Sequence, residues 1–542
     1  MPKRSTHLAL ALAVTTATVL TATAVTTGAA TPSGSASAPR SAAAGARPVV
    51  HTDKGAVRGV ADGAVRVFAG IPYAAAPSGA RRWSAPAPAA RWRGVRDAAA
   101  SGPACPQTGS VPPAGPFSDD EDCLSVDVTT PRDAARKARP VMVYLHGGDH
   151  TDGAGSRHGA RRLAARGDVV VVTVNHRLGA LGYLAHPELE QGGAESGNYG
   201  FLDQQAALRW VRSNAAAFGG DPGNVTLFGE SAGSYSTCAH LVAPSSAGLF
   251  HRVINQSGPC LGTQGRTTRE QALRQGTRTV AALKADPEVE NWRTAPVDRL
   301  THPFGTGPSY SPVYGGRLLP RTPQQALEKG EFAKVPVLQG VNRDEQRAMV
   351  YGMERAKQAE TGDPRARLTE ADLRHHLESR FGARDTARIM ARYPVTAYDD
   401  TPALALAAAL TDATYARDLV DANRALSPQV PTYNYEFAER TTPWYADPAF
   451  ERPSFPAGAG HTFELPYLFE LAEFEPLDPA QRALSDAMID IWTGFARTGR
   501  APWRPGTPAE PHTRALASGP GGIRPVDFAR EHRYDFWTSL RP

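Results

Sequence analysis

Apolar runs and helical patterns alternate along this chain, and that alternation restricts its fold more than any other feature. Most of the runs are continuously apolar, as in strands that are buried on both faces of a sheet. They are Val141–Leu145, Val169–Val174, Val225–Phe228, Val253–Asn255, Val335–Leu338 and Thr432–Phe437. The helical patterns between them include Asp203–Phe218, Ser234–Val242 and Leu484–Thr498. The alternation predicts an α/β fold with a large, mainly parallel central sheet flanked by helices.

Two long stretches, 262–333 and 346–430, lack such apolar runs. We expect both to be helical excursions from one sheet that surround a cleft, and not separate domains. The chain also has no heptad pattern and no recurring unit of the length found in repeat proteins. Residues 51–542 are therefore predicted to form a single domain.

The N-terminus has the pattern of a secretory signal peptide. Lys3 and Arg4 precede a stretch rich in Leu, Ala, Val and Thr, and no further charge occurs before Arg40. Small residues in this stretch offer cleavage sites. We expect residues 1–38 to hold the signal peptide and the start of a linker, and residues 39–50 to be a flexible linker. The alternative, an uncleaved membrane anchor, needs a more hydrophobic stretch than this one. The sequence thus predicts a secreted protein without stable membrane association.

The net charge and the cysteine content indicate which binding partners and which cellular compartment to expect. The net charge of +5 is small for 542 residues, and no compact Lys/Arg cluster with interleaved aromatics indicates a nucleic-acid partner. Secretion permits disulfides. A Cys105–Cys123 disulfide would close a Pro/Gly-rich surface loop and stabilise the fold by roughly 3 kcal/mol. Pairing of Cys238 with Cys260 stays open, because Cys238 lies in a predicted helix where a lone cysteine is often a small buried apolar residue.

A G-x-S-x-G pattern marks a candidate nucleophile. The segment Gly229–Gly233 reads Gly-Glu-Ser-Ala-Gly, with a predicted strand before it and a helical run after it. Such a strand–turn–helix places the serine at the edge of the sheet. Ser231 then needs a base and an orienting carboxylate, which follow in the order acid, histidine on this fold. The run Gly340–Glu345 offers acids at a strand end and His461 lies in a Gly-rich loop, but spacing alone does not choose among the candidates.

A series of ordered motifs runs through nearly all of the chain after its N-terminal segment. They are Phe68–Ala74, Glu121–Leu124, Asn175–Gly179, Gly197–Gly200, Phe218–Pro222, Gly229–Gly233, Trp492–Ala496 and Phe536–Trp537. In these motifs the chain resembles the type-B carboxylesterases, the family that includes cholinesterases, from about Thr52 to Leu540. The resemblance implies an α/β-hydrolase fold.

The resemblance also implies a catalytic triad. It gives Ser231 as the nucleophile and His461 as the base. The acid of the family is a glutamate at the last position of a G-x-x-x-D-E pattern, which is Glu345 in this sequence. Asp344 is the fallback.

Further positions are implied by the same resemblance. Glu230 and Ser257 match positions that support the histidine and its carboxylate. Cys105 and Cys123 match the first disulfide of the family. No cofactor and no metal are implied.

The loop after Val141–Leu145 departs from the family pattern. The usual form is H-G-G-G-F, whereas residues 146–150 read His-Gly-Gly-Asp-His. Backbone N–H groups of Gly148, Asp149 and Ala232 are the expected oxyanion donors. A carboxylate near a developing oxyanion is repulsive, so we expect Asp149→Gly to raise kcat on a small aryl ester. Two other interpretations stay open: contact of this segment with a polar or cationic substrate group, or a metal site, which no known metal signature supports. The residues of that metal site would be His146, Asp149, His150 and Asp152.

These features predict a secreted serine carboxylesterase that hydrolyses small-molecule esters through an acyl-enzyme. Phe117 is the one aromatic residue between Cys105 and Cys123, which argues against choline esters. The same segment is too polar for the lid of a long-chain lipase. The alternatives are a binding or adhesion protein on the same fold, or a hydrolase of amides, carbamates or a specialised natural-product ester.

Overall fold

The computed structural model describes residues 47–109, 117–133, 138–262, 265–302, 307–448 and 450–540. The predicted signal peptide and residues 39–46 of the predicted linker lie outside the described residues. The linker prediction is wrong at its end. Arg47 Nε donates to the carbonyl of Gly59, and a strand begins at Val49, because its backbone pairs with residues 56–58.

The strands of the described residues are numbered in chain order. They are β1 Val49–His51, β2 Ala56–Arg58, β3 Val60–Asp62, β4 Val65–Pro72, β5 Val95–Asp97, β6 Ser125–Pro131, β7 Arg139–Leu145, β8 Val170–Val174, β9 Gly220–Glu230, β10 Arg252–Gln256, β11 Thr267–Thr268, β12 Val313–Tyr314, β13 Val337–Asn342, β14 Thr432–Phe437, β15 Arg514–Leu516 and β16 Arg524–Pro525.

The α-helices of the same residues are numbered likewise. They are α1 Arg161–Gly167, α2 Gly179–Tyr183, α3 Tyr199–Asn214, α4 Ala232–Val242, α5 Arg269–Ala285, α6 Pro323–Glu328, α7 Arg347–Thr361, α8 Glu370–Arg392, α9 Pro402–Thr411, α10 Arg417–Leu426, α11 Pro479–Thr498, α12 Phe528–Glu531 and α13 Tyr534–Ser539. A π-helical turn, Asp412–Ala416, joins α9 to α10. No helix of the described ranges is long and apolar enough to cross a membrane.

An 11-stranded sheet forms the centre of the fold, in the order β16-β15-β14-β13-β10-β9-β7-β8-β6-β4-β3. All neighbours from β15 to β8 pair in parallel. The antiparallel pairs lie at the two edges of the sheet. The prediction of a large, mainly parallel sheet is confirmed.

Side chains of β7 show why the central strands read as continuous apolar runs. Val141, Val143 and Leu145 belong to a core shared with α3 and α4. Met142 and Tyr144 belong to a second core, on α1 and α11. Successive side chains of a strand point to opposite faces, so helices on both faces bury every residue of β7.

The two long stretches without apolar runs contain the helices α5–α10. The stretch 262–333 holds α5 and α6 but also β11 and β12, which pair in a separate small sheet that the sequence pattern missed. The stretch 346–430 holds α7–α10.

Disulfides join Cys105 to Cys123 and Cys238 to Cys260. The second pair, left open by the sequence, forms because the segment after β10 returns to within 5.3 Å (Cα–Cα) of α4.

Candidate active site

Ser231 occupies the sharp turn between β9 and α4. Its backbone is left-handed, with φ 54° and ψ −120°, and its N–H donates to the carbonyl of Gln256 (2.9 Å). The flanking glycines are required sterically. A methyl group at Gly233 would lie 2.0 Å from the carbonyl oxygen of Leu145, and one at Gly229 would lie 2.5 Å from the backbone of Gly233. This crowding holds Ser231 at the carboxyl end of the central strands.

His461 lies in the loop that follows β14 and bridges Ser231 and Glu345. Its Nε2 is 2.9 Å from Ser231 Oγ, and its Nδ1 is 2.6 Å from Glu345 Oε2. The backbone N–H of His461 also donates to the carbonyl of Glu345 (3.2 Å). The structure therefore brings together the three side chains proposed from the sequence, although 230 residues separate Ser231 from His461.

Glu345 and Asp344, adjacent after β13, point to different partners. Glu345 is fully buried, and its Oε1 accepts the backbone N–H of Asn342 (2.7 Å). The carboxylate of Asp344 instead accepts two hydrogen bonds from Arg440 (3.0 Å each) and one from the N–H of Ala459 (3.1 Å). The structure thus pairs Glu345 with the imidazole. Asp344, the fallback residue, instead stabilises the loop that carries His461.

Two more buried glutamates surround the imidazole. Glu230 Oε1 is 3.4 Å from His461 Nε2. Glu464 accepts hydrogen bonds from the side chains of Asn342 (2.7 Å) and Gln256 (3.2 Å). The sequence analysis named Glu230 but missed Glu464. In the sequence, only the position of Glu464 three residues after His461 could have indicated a place in the site.

The three carboxylates alter the acid–base properties of the imidazole. Burial by itself lowers the pKa of His461, but the charges of Glu230 and Glu345 outweigh burial and raise it to about 9. Burial also raises the pKa of Glu230 and of Glu464 above the usual range. Because His461, Glu230 and Glu464 interact this strongly, their protonation equilibria are coupled.

The oxyanion loop, residues 146–150, packs directly against the nucleophile. A methyl group at Gly147 would lie 3.2 Å from Ser231 Cβ. Three successive residues are left-handed: Gly148 (φ 104°), Asp149 (φ 53°) and His150 (φ 56°). No hydrogen bond within the described ranges uses the N–H groups of Gly148 or Asp149. Ala232 opens α4, where the first N–H groups of a helix have no intrahelical acceptor. These donors are available to an oxyanion.

Histidines fix the rear of the oxyanion loop. The buried ring of His150 lies 3.1 Å from Ser236 Oγ, on α4. The carbonyl of His150 accepts the N–H of Gly179 (2.6 Å). The ring of His146 stacks on His176, with centroids 4.6 Å apart. Across the described ranges, no three His, Cys, Asp or Glu side chains are arranged to hold a metal ion.

Tyr415 and Ser257 differ from what the sequence indicated. Tyr415, which the sequence analysis missed, lies in the π-helical turn with its ring centroid 5.5 Å from that of His461. Single π-turns are frequent at functional sites. Ser257 is fully buried and its N–H donates to Gly340 (2.8 Å). Its hydroxyl hydrogen-bonds to no residue that the structure describes, so it contacts neither His461 nor Glu345 in this way.

Known proteins resemble the chain over most of its length. Residues 46–521 match the model of the Carboxylesterase family. Para-nitrobenzyl esterase of Bacillus subtilis (strain 168) is 33% identical over 480 residues, which cover 83% of this chain and 90% of that protein. Neuroligin-2 of Homo sapiens is 31% identical over 555 residues, which cover 89% of this chain and 64% of that protein. A solved structure of PNB esterase aligns with a TM-score of 0.72 at 31% identity, over 91% of this chain and 100% of the other.

Proposed function

The chain belongs to the carboxylesterase family and is a carboxylic ester hydrolase, and on that premise we propose that it is a secreted serine esterase with a Ser231–His461–Glu345 triad. The type-B resemblance and the α/β-hydrolase fold expected from the sequence are confirmed. The observation that carries the proposal is the unbroken hydrogen-bond chain from Ser231 Oγ through His461 to Glu345.

The proposed reaction is two-step acyl transfer. Glu345 accepts a hydrogen bond from Nδ1–H of His461, which leaves Nε2 free to take the hydroxyl proton while Ser231 Oγ attacks the ester carbonyl. The imidazolium then protonates the leaving alcohol, and an acyl-enzyme remains. Water, deprotonated by the same imidazole, attacks the acyl carbonyl and releases the acid. Glu230, 3.4 Å from His461 Nε2, favours the imidazolium.

The tetrahedral intermediates need hydrogen-bond donors for their oxyanion. The proposed donors are the backbone N–H groups of Gly148, Asp149 and Ala232. One such donor is worth about 3 kcal/mol of transition-state stabilisation. The side chain of Asp149 does not remove its own N–H, so the donor count equals that of the all-glycine family pattern.

The same proposal includes the setting of the enzyme. The N-terminal pattern and the two disulfides support secretion after signal cleavage. The central sheet takes strands from Val60 to Pro525, which supports one catalytic domain over residues 51–542. The proposed partner is a small-molecule ester, without nucleic acid or stable membrane association. N-terminal sequencing of protein from the culture medium tests the predicted cleavage within residues 1–38.

A fluorophosphonate probe and a panel of p-nitrophenyl esters test the triad. We expect the probe to label the wild-type protein once, at Ser231, and not to label Ser231→Ala. We expect ester turnover to disappear in the same variant. Labelling at another residue, or turnover that survives Ser231→Ala, would refute the triad.

A binding or adhesion protein on the same fold is the second candidate. The carboxylate at position 149, in the oxyanion loop, favours it. It predicts a folded protein that the probe does not label. Labelling without turnover of the panel would instead indicate a specialised substrate such as an amide, a carbamate or a natural-product ester.

A further inference from the structure

Asp149 follows Gly147 and Gly148 in the loop that packs against Ser231, and its carboxylate has no partner among the residues that the structure describes. Its side chain is exposed, and no hydrogen bond or ion pair engages it within the described ranges. Its backbone turns left-handed between Gly148 and His150, the latter fixed to α4 through Ser236. The hydrogen bond of His150 thus fixes the backbone of the loop on the carboxyl side of Asp149.

Aromatic side chains border the same space. Tyr235 lies one turn after the nucleophile, and its N–H donates to the carbonyl of Ser231 (3.0 Å). Tyr415 packs against the imidazole of His461. Burial raises the pKa of both phenols, and the charge of Asp149 adds a smaller contribution to each rise, so its carboxylate lies within electrostatic reach of both rings.

Asp418, another acid of this region, is paired with an arginine. A methyl group on Gly262 would lie 3.1 Å from the carboxylate of Asp418 and 3.7 Å from the ring of Tyr235, so both side chains lie close to Gly262. Arg417 donates two hydrogen bonds to Asp418 (3.1 and 3.2 Å). Among the described residues, no arginine pairs with Asp149 as Arg417 pairs with Asp418.

A carboxylate without a counter-charge next to an oxyanion hole repels the negative charge that develops on the substrate oxygen, and so slows the reaction. Although the side chain of Asp149 is exposed, the surrounding protein still desolvates its carboxylate. This desolvation and the charge of Asp152 raise the pKa of Asp149 to about 6, so most of the group is ionised at neutral pH. A cation supplied by the substrate removes this conflict, because it neutralises Asp149 and attracts the developing oxyanion. A protonated amine suits a carboxylate best, since it donates charge-assisted hydrogen bonds, and the rings of Tyr235 and Tyr415 favour the same cation.

We propose that Asp149 is the specificity determinant for esters that carry a protonated amine, which it binds against Tyr235 and Tyr415 beside Ser231. This inference rests on the proposed esterase function and names its substrate class. It also explains why an acid stands where the family has glycine: the repulsive carboxylate selects against neutral esters and for amino esters.

Matched pairs of esters test the proposal. For an amine in the acyl group, the pair is 4-nitrophenyl 6-aminohexanoate and 4-nitrophenyl heptanoate. For an amine in the alcohol, the pair is 6-aminohexyl acetate and heptyl acetate. Each pair has the same number of heavy atoms and differs by one charge. We expect kcat/KM at pH 7.5 to favour the amino ester of one pair by at least about tenfold, as unit charges attract near a protein surface.

Asp149→Asn is the matched variant, because it keeps the side-chain shape and the backbone N–H. For the pair in which the wild type prefers the amino ester, we expect the kcat/KM values of the two esters to differ by no more than about threefold in this variant. We expect kcat/KM to fall on the amino ester and to rise on the neutral one. Raising the ionic strength of the wild-type assay to 1 M is expected to reduce the preference as well, since salt screens the pair. That second measurement does not depend on the folding of a variant.

The outcomes separate this inference from the proposed function. Labelling of Ser231 and turnover of both esters, with a ratio that neither Asp149→Asn nor salt changes, overturns the role of Asp149 alone. A wild-type preference for the neutral ester in both pairs also overturns it. Absence of both labelling and turnover overturns the esterase proposal, and this inference with it.

Discussion

Substitution of Glu345 by glutamine tests the proposed acid most directly, because the structure gives this carboxylate two donors at once. Its Oε2 faces His461 Nδ1 at 2.6 Å, and its Oε1 accepts the backbone N–H of Asn342 at 2.7 Å. A glutamine has one oxygen and one NH₂ group for these two positions. If the NH₂ faces Asn342, two donors oppose each other in a fully buried site. If it faces His461, Nδ1 must accept, and Nε2 then carries the proton.

Either arrangement impairs the base. A protonated Nε2 cannot take the proton of Ser231, and the neutral amide no longer stabilises the imidazolium. The comparable acid-to-amide change in a serine protease lowers kcat by about 10⁴. We expect a loss of about 10³–10⁴ in kcat on a p-nitrophenyl ester, equivalent to about 4–5.5 kcal/mol in activation free energy. KM is expected to change little, since Glu345 does not contact substrate.

Asp344→Asn is the control for this experiment. Its carboxylate binds Arg440 and the N–H of Ala459 instead of the imidazole. We expect it to lower the free energy of unfolding by about 1–3 kcal/mol and kcat by less than tenfold. A loss of less than tenfold in Glu345→Gln, with the larger loss in Asp344→Asn, would refute the assignment of the acid. Urea unfolding of both variants checks that the fold is intact.

Three further predictions concern titration and stability. Nearby carboxylates raise the pKa of His461 to about 9, so we expect the limb of the kcat/KM pH profile that reports on His461 to lie above pH 6.5. Glu230→Gln should move this limb to lower pH. An unchanged profile would contradict the role of Glu230. Replacing both Cys238 and Cys260 by alanine is expected to lower the free energy of unfolding by about 3 kcal/mol, as their 22-residue separation implies in the loop-entropy account; equal urea midpoints would count against it. Burial lowers the pKa of His240 to about 3, so the unfolded chain gains a proton there below about pH 6.5 that the folded chain does not. The unfolding free energy between pH 4 and 6 should therefore rise with pH more steeply in the wild type than in His240→Gln, by about 1.4 kcal/mol per pH unit, and parallel curves would show that His240 is not buried neutral.

Local chemistry explains what the sequence analysis reached. The apolar runs predicted the central strands because helices cover both faces of the sheet, and Thr432–Phe437 matches the structure at both ends. The Gly-Glu-Ser-Ala-Gly segment predicted a turn between strand and helix because only glycine fits the contacts at positions 229 and 233. The resemblance supplied His461 and Glu345, which spacing alone did not select.

Contacts between distant segments were beyond the reach of such patterns. The two-residue strands β11 and β12 are too short for a periodic signal, and the partner of Cys238 depends on where the chain returns after β10. Tyr415 and Glu464 enter the site because a π-turn and a loop pack beside His461, and neither carries a motif.

The oxyanion loop shows the division most clearly. The amino-acid order alone established that an acid stands at position 149, directly after two glycines and near a serine nucleophile. Only the folded chain decided that no arginine among the described residues pairs with this acid, whereas Arg417 pairs with Asp418. The reason is physical: the identity of a charge is set by covalent sequence, whereas its neutralisation depends on which distant side chains packing brings within a few ångströms.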